Sequence, residues 1–362
     1  MKSRADNSLP FDPAAIAPLL LAWYGREGRE LPWRGTRDPY RIWLAEIMLQ
    51  QTTVATAGDY YRRFLGSFPT VERLAAAPLE RVIDLWAGLG YYARARNLHA
   101  TARLVTEEYG GVFPTAVEQL QQLPGVGRST AGAIAALAFE QRAPILDGNV
   151  RRVLSRLFAL QQPPRSTAAE KQLWYWAELL TPLEQVHDYT QAIMDLGATV
   201  CVPRQPDCHA CPLNELCLAH RLGLADQLPL KVPAKKIPTR RAAVLLLENK
   251  GRYFARRRPA SGFLGGLWEF PCVDLENGES VEGKMHLLMS EFAVSGDIVA
   301  LGSISHVYSH FRLELQLFML SIRDLPRIAE GESGWFSARQ LMELALHGAH
   351  KKALGLVPSS GV

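Results

Sequence analysis

No run of apolar residues in this 362-residue chain reaches the roughly 20 residues a membrane-spanning helix needs, and the first ten residues are polar, without a signal-peptide core. An intracellular protein is expected. Surplus charge is also small: 40 Lys and Arg against 36 Asp and Glu leave a formal +4. That permits a nucleic-acid partner without demanding one, and any basic surface must be local. Cysteine is scarce, and four of the five cysteines fall between residues 201 and 217. In a reducing compartment such clustering favours a metal over disulfides. The rest, 48 % hydrophobic and 21 % charged, is the make-up of a soluble globular protein. The length implies two or three domains.

The central stretch is LPGVGRSTAGAIAALAFEQRAPILDGNVRR, residues 123–152. Gly125 and Gly127 flank Val126 in a tight turn, where glycine can take φ > 0. A helix of small residues follows, from Arg128 to about Phe139. A turn opening a helix leaves backbone N–H groups unpaired, a nest that binds a phosphate oxygen without reading sequence. Asp147 stands in an apolar-then-turn setting beside Arg151 and Arg152; it is either a helix N-cap or a reactive acid. In RIWLAEIMLQQTTVAT, residues 41–56, Glu46 is the one acid in an otherwise apolar helix. Desolvation there raises its pKa and keeps a proton available near neutral pH, as a general acid needs.

Elsewhere the chain reads as follows. Residues 1–10 have no structural signal. Asp12-Pro13 can start a helix at Ala14. Leu31-Pro32-Trp33-Arg34 is a break carrying an aromatic and a cation, suited to packing or to stacking near a base. Gln50, Gln51 and Thr52 could point into a duplex. In GLGYYARARNLH, Tyr91 lies between glycines and spaced arginines, an arrangement suited to insertion into a base stack. Cys201-x6-Cys208-x2-Cys211-x5-Cys217 has one short pair and wide outer ligands, unlike the two short pairs of most structural zinc sites. Cys272 is expected to be a plain buried thiol. Residues 225–241 form a basic linker in which Pro229, Pro233 and Pro238 oppose regular structure. It carries Lys231, Lys235, Lys236, Arg240 and Arg241. From Ala242 the pattern changes: 242–247 reads as a buried strand, 253–256 as its hairpin partner, and 311–319 alternates like a strand.

Several of these stretches carry a family resemblance. LPGVGRSTAGAI closely resembles the helix-hairpin-helix of the base-excision DNA glycosylases, and LDGNVRRV the stretch bearing that superfamily's active-site aspartate. WLAEIMLQQT and GLGYYARARNLH resemble adenine DNA glycosylases of the MutY type. The cysteine spacing resembles the superfamily's iron–sulfur loop, which implies a [4Fe–4S] cluster. Residues 262–271, GFLGGLWEFP, resemble the opening of a Nudix-type fold. The hydrolytic signature helix is absent, since residues 284–297 read KMHLLMSEFAVSGD. SHVYSHF, residues 305–311, resembles the lesion-reading loop of such a domain, with Tyr308 in place of the usual Phe.

The resemblance implies an all-α glycosylase domain over residues 11–224, in two lobes about a cleft, joined by the linker to an α/β Nudix-like domain over 242–350. It implies a monofunctional enzyme that flips and excises adenine mispaired with 8-oxoguanine or guanine in double-stranded DNA. Glu46 would be the acid and Asp147 the stabilising carboxylate. Leu31, Trp33, Arg34 and Gln191 would line the adenine pocket, and Gln51 and Tyr91 would fill or wedge the duplex. Gly125, Val126, Gly127 and Ser129 would contact the backbone, and His306, Tyr308, Ser309 and His310 the lesion. A monomer acting on cytoplasmic, nucleoid-associated DNA is expected. Two alternatives stand beside this reading. One is a sister glycosylase for oxidised pyrimidines or thymine mismatches, although Ser129 occupies the position where bifunctional relatives carry a Schiff-base lysine. The other is a non-catalytic iron–sulfur DNA-binding module.

Overall fold

The computed structural model describes residues 9–231, 236–259, 262–276, 278–323 and 332–357. The readings of residues 1–8, and of Pro233 and Lys235 in the linker, lie outside them. By its contacts the chain divides into two units, the first within Met1–Ala77 and Asn97–Pro233, the second within Pro78–Arg96 and Ala234–Val362.

The first unit is helical. Asp12 caps a single 3-10 turn, Pro13–Ala15, before the α-helix Ile16–Glu27 begins, slightly later than Asp12-Pro13 suggests. The glutamate helix, Pro39–Leu49, starts where the Asp38 side chain accepts from Tyr40 N, with Pro39 supplying a helical φ in the first turn. Seven of its eleven residues are buried, Trp43 and Met48 completely. Each large apolar side chain so buried stabilises the fold by roughly 1.5–3 kcal/mol. The glutamate helix packs on the hairpin helix, Arg128–Phe139. Small residues there permit close approach: a Cβ on Gly132 would stand 2.4 Å from the Pro144 carbonyl oxygen. The aspartate helix, Gly148–Leu157, and the helix Val186–Thr199 pack against each other, and the latter also touches the hairpin helix and Ile16–Glu27.

The second unit holds a mixed sheet. Its strands are β1 (Thr239–Asn249), β2 (Arg252–Arg257), β3 (Trp268–Glu269), β4 (Cys272–Leu275), β5 (Val299–Val307), β6 (Arg312–Ser321) and β7 (Ser333–Ser337). The main order is β3-β2-β1-β6-β5, with β4 paired to β1 and β7 to β2. β1 and β6 run parallel from Thr239↔Arg312 to Glu248↔Ser321. Alternate residues of β1 serve two cores, Ala242, Val244 and Leu246 on one face and Ala243, Leu245 and Leu247 on the other. A sheet covered on both faces explains the unbroken apolar run.

Three boundaries differ from the sequence reading. The linker ends early, because Thr239, Arg240 and Arg241 already pair in β1. Ser305 and His306 belong to β5, paired with Glu314 and Leu313, so the turn is confined to residues 308–311. Residues 78–96, assigned by pattern to the helical domain, cluster with the C-terminal residues. There Ile83 is buried in the core with Leu267 and Phe270, Asp84 pairs with Arg257 at 3.3 Å, and Arg96 donates to Gly265 O at 3.0 Å.

Candidate active site

In the first unit a cavity of about 350 Å³ is lined by Glu46 and Asp147 together with Leu31, Trp33, Arg34, Ser129 and Gln191. The volume suits a small-molecule site. Burial, then the charge of Asp147, pushes the Glu46 carboxyl up to about 7, while Arg34 pulls the other way. Burial also raises Asp147 above the usual aspartate range. Against that act hydrogen bonds from Val150 N and Asn149 N and the charges of Arg152 and Arg151. Val150 N donates to Oδ1 at 2.7 Å, so Asp147 is also the N-cap of its helix. Four groups favour the ionised form of Asp147 and one favours that of Glu46. Two neighbouring carboxyls so placed titrate apart, Glu46 keeping the proton.

The cavity wall rests on an acid that pattern reading passed over. Asp195, on helix Val186–Thr199, is fully buried and clamps both Arg34 and Arg29. Arg29 Nε donates to it at 2.8 Å and Arg29 N at 3.0 Å, and Arg34 also donates to Arg29 O at 2.9 Å. Desolvation alone would raise Asp195. The hydrogen bonds from Arg34 and Arg29 outweigh it and hold the carboxyl below its ordinary value. The signal was an acid inside the apolar run 192–196, the same signal that marks Glu46. Asn149, Thr36 and His187 also line the cavity unannounced. Trp33 is buried edge-on against Tyr61, 5.5 Å between ring centroids, so packing and cavity lining coincide in it.

The hairpin behaves differently at each residue. Gly125 has φ +78°, and a Cβ there would stand 2.9 Å from Asn97 Cβ. Gly127 is extended, at φ −82° and ψ 172°, and caps the helix without a side-chain bond. Val126 is buried, so only its backbone can meet a phosphate. Ser129 Oγ accepts from Leu146 N at 2.9 Å, which ties the hairpin helix to the residue before Asp147. Gln51 and Tyr91 are exposed and sit in left-handed backbone, φ 58° and 51°. Such strain in non-glycine residues concentrates at functional positions.

In the second unit, Ser309 Oγ donates to Tyr91 OH at 3.3 Å. Ser309 and His310 are exposed at the turn, and His306 is half-buried. Tyr308 is committed inward. Its hydroxyl bonds His347 Nδ1 at 3.1 Å, and its ring packs on Phe263 and Phe311. Burial holds the His347 imidazole neutral, pushed down to about 3. The hydroxyl that distinguishes this residue from Phe therefore anchors the turn.

Cys201, Cys208, Cys211 and Cys217 line one cavity of about 30 Å³. Among the described residues no group of three or more His, Cys, Asp or Glu side chains could hold a single metal ion. A cubane cluster takes one thiolate on each of four irons and needs a wider ring of ligands than one ion does. The buried Arg156 fits an anionic group there. Its Nη1 reaches Cys201 Sγ at 3.3 Å and Val202 O at 2.7 Å, and its Nη2 has no partner among the described residues. Arg152 links the cysteine segment to the aspartate helix, donating to Cys201 O at 2.7 Å, Gly197 O at 2.6 Å and Asn149 Oδ1 at 2.7 Å. Cys272 is a free thiol in the second unit beside Glu269, pushed up to about 12 by burial and that charge.

Comparison with known proteins agrees with both units. Residues 44–178 match the family model of the HhH-GPD superfamily of base excision DNA repair proteins, and residues 242–356 match the NUDIX domain. The chain is 37 % identical over 400 residues to the adenine DNA glycosylase of Mus musculus, covering 94 % of this chain and 77 % of the relative. It is 32 % identical to that of Buchnera aphidicola subsp. Schizaphis graminum (strain Sg), covering 91 % and 95 %. Among solved structures, a thermostable thymine-DNA glycosylase aligns at TM-score 0.54 and 32 % identity, over 58 % of this chain and 97 % of its own. Within the described residues no helix is long and apolar enough to cross a membrane.

Proposed function

Because this chain belongs to the adenine DNA glycosylases of the helix-hairpin-helix base-excision superfamily, we propose that it removes adenine mispaired with 8-oxoguanine, or with guanine, through Glu46 and Asp147. The observation that carries this reading is the pair of carboxyls lining one cavity, with Glu46 pushed up to about 7. A base cannot be reached inside a duplex, so the adenine must be flipped into that cavity. Glu46 protonates N7 and converts adenine into a good leaving group. As the glycosidic bond breaks, positive charge develops on the sugar, and the Asp147 carboxylate balances it. The deprotonated Glu46 then takes a proton from the attacking water. Trp33, Arg34 and Gln191 surround the base, Arg34 being held by Asp195. Gln51 and Tyr91 occupy the opened stack, and the hairpin backbone holds a phosphate.

Ser309 and His310 read the opposite base, and Tyr308 braces their turn. The four cysteines hold a [4Fe–4S] cluster with Arg156 as its counter-charge. When bound, the cluster supplies shape to the cysteine loop and no chemistry to the excision. The protein acts as a monomer on duplex DNA. Single-turnover excision from A:8-oxoguanine, A:G, A:T and G:T duplexes tests the reading. Release of adenine opposite 8-oxoguanine in preference to the others is expected. Release of thymine instead would favour the sister-glycosylase reading, in line with the likeness to a thymine-DNA glycosylase.

A further inference from the structure

Helix Val186–Thr199 carries Asp195 with its side chain fully buried. Two cations converge on it from the segment ahead of the glutamate helix, and both line the cavity. Arg34 grips the carboxylate with both arms of its fork, Nη1 donating to Oδ2 and Nη2 to Oδ1. Such a bidentate pair fixes the plane of the guanidinium as well as its distance. Arg34 Nη1 also donates to Arg29 O at 2.9 Å and Tyr24 OH at 3.3 Å. Arg29 adds its Nε to Oδ1 at 2.8 Å and its backbone N to Oδ2 at 3.0 Å. The two guanidiniums differ in their access to water: 26 % of the Arg29 side chain is exposed but only 11 % of Arg34. Solvent screens the first charge more than the second, and against the second stands Asp195.

The charged and titratable groups lining the cavity are Glu46, Asp147, Arg29, Arg34 and His187. Arg34 is the cation whose charge acts on Glu46, favouring the carboxylate against burial and Asp147. A loose, unbalanced guanidinium there would draw the proton off the acid. We propose that Asp195 is a positioning residue for the proton donor: by pinning Arg34 in the cavity wall and balancing its charge, it keeps Glu46 in the form that can give a proton. The proposal rests on the reading that Glu46 is the acid. A buried ion pair is a poor source of stability once the cost of taking both charges out of water is counted; here it has a task in the chemistry.

The test is the pH dependence of single-turnover adenine excision opposite 8-oxoguanine in wild type, Asp195→Asn, Arg34→Met, their double variant and Glu46→Gln. Asn keeps the size of Asp and gives up its charge. In Asp195→Asn the alkaline limb should move down by about one pH unit, the low end of what a neighbouring cation does to a carboxyl, so that rates on that limb fall about tenfold relative to the plateau. Arg34→Met should move the limb up. In the Arg34→Met background, Asp195→Asn should leave the limb where it is, because its effect runs through that guanidinium. A merely structural Asp195 would lower the plateau and leave the limb in place. That result, or the same downward shift with Arg34 already removed, overturns the proposal. If Asp195→Asn does not fold, Arg34→Met decides, and a limb that stays or moves down overturns the proposal. Glu46→Gln with the wild-type rate and limb would instead sink the functional reading on which it rests.

Discussion

Glu46 and Asp147 share a cavity but not an environment, and the proposed division of roles between them rests on that difference. Glu46→Gln keeps the shape and loses the proton. Excision should fall at least about 100-fold while mismatched duplex is still bound; near-wild-type single-turnover rates would remove Glu46 from the mechanism. With its carboxyl at about 7 rather than the ordinary 4.5, the donor fraction falls as pH rises through 7, so excision should decline on the alkaline side. The same elevation sets a stability slope. The contribution is fully present below about 4.5 and is lost as pH climbs through 7, about 3 kcal/mol in all. Glu46→Gln should therefore raise the melting temperature at pH 8 more than at pH 5. Asn caps a helix as well as Asp does, so Asp147→Asn should melt near wild type yet excise severely slowly. Melting and excision falling together would reduce Asp147 to a cap. Glu46 was legible as one acid in an apolar helix, and Asp147 as an acid before two arginines. Asp195 carried the same local signal, but its meaning lies in Arg29 and Arg34, more than 160 residues away in sequence, and no spacing rule reaches that far.

Elements were legible where packing and propensity agree, as in the small-residue helix Arg128–Phe139 and the two-faced strand β1. They were less so at the β5–β6 turn and at the foot of β1, where pairing with a distant strand extends a segment that its own residues leave undecided. Gly132 is a test at this scale. Helix propensity alone favours Ala there by about 1 kcal/mol. Against that, the new Cβ would meet the Pro144 carbonyl oxygen at 2.4 Å, a backbone atom that cannot swing away. Gly132→Ala should therefore lower the melting temperature, with a net loss of about 1–3 kcal/mol, and displace the segment that delivers Asp147. A stabilised variant would mean that the two elements separate readily. The cysteine loop tests the proposed cluster. Cys211→Ser should lose the broad visible absorbance of an iron–sulfur centre and weaken DNA binding, and wild type purified with zinc and no iron would refute that assignment.

At the scale of the whole molecule, the order of motifs made two folds legible, but not the place of residues 78–96. Leu79–Trp86 among them form an amphipathic helix, and only tertiary contacts put Ile83 into the core shared with Leu267 and Phe270. Tyr91 thereby stands within hydrogen-bond reach of Ser309, so the residue proposed to wedge the duplex and the turn proposed to read the lesion belong to one unit. Phosphate contacts carry no information about the opposite base, so telling 8-oxoguanine from guanine falls to groups that sense its altered edge. A well-placed base contact is worth roughly 1–3 kcal/mol of discrimination, about 5- to 150-fold in rate or affinity. Cutting the chain after Leu230 should preserve adenine excision in kind and shrink the preference for 8-oxoguanine over guanine by a factor in that range. The cut also bares Ile83 and Leu79, so a lower melting temperature should accompany it. Ser309→Ala with His310→Ala in the full chain separates the two effects, because it removes exposed groups and leaves the core covered. That double variant should lose part of the preference and melt like wild type. If the ratio of single-turnover rates on the two duplexes is unchanged in both proteins, lesion recognition moves to the helical unit, and the sheet is left as a cover for residues 78–96.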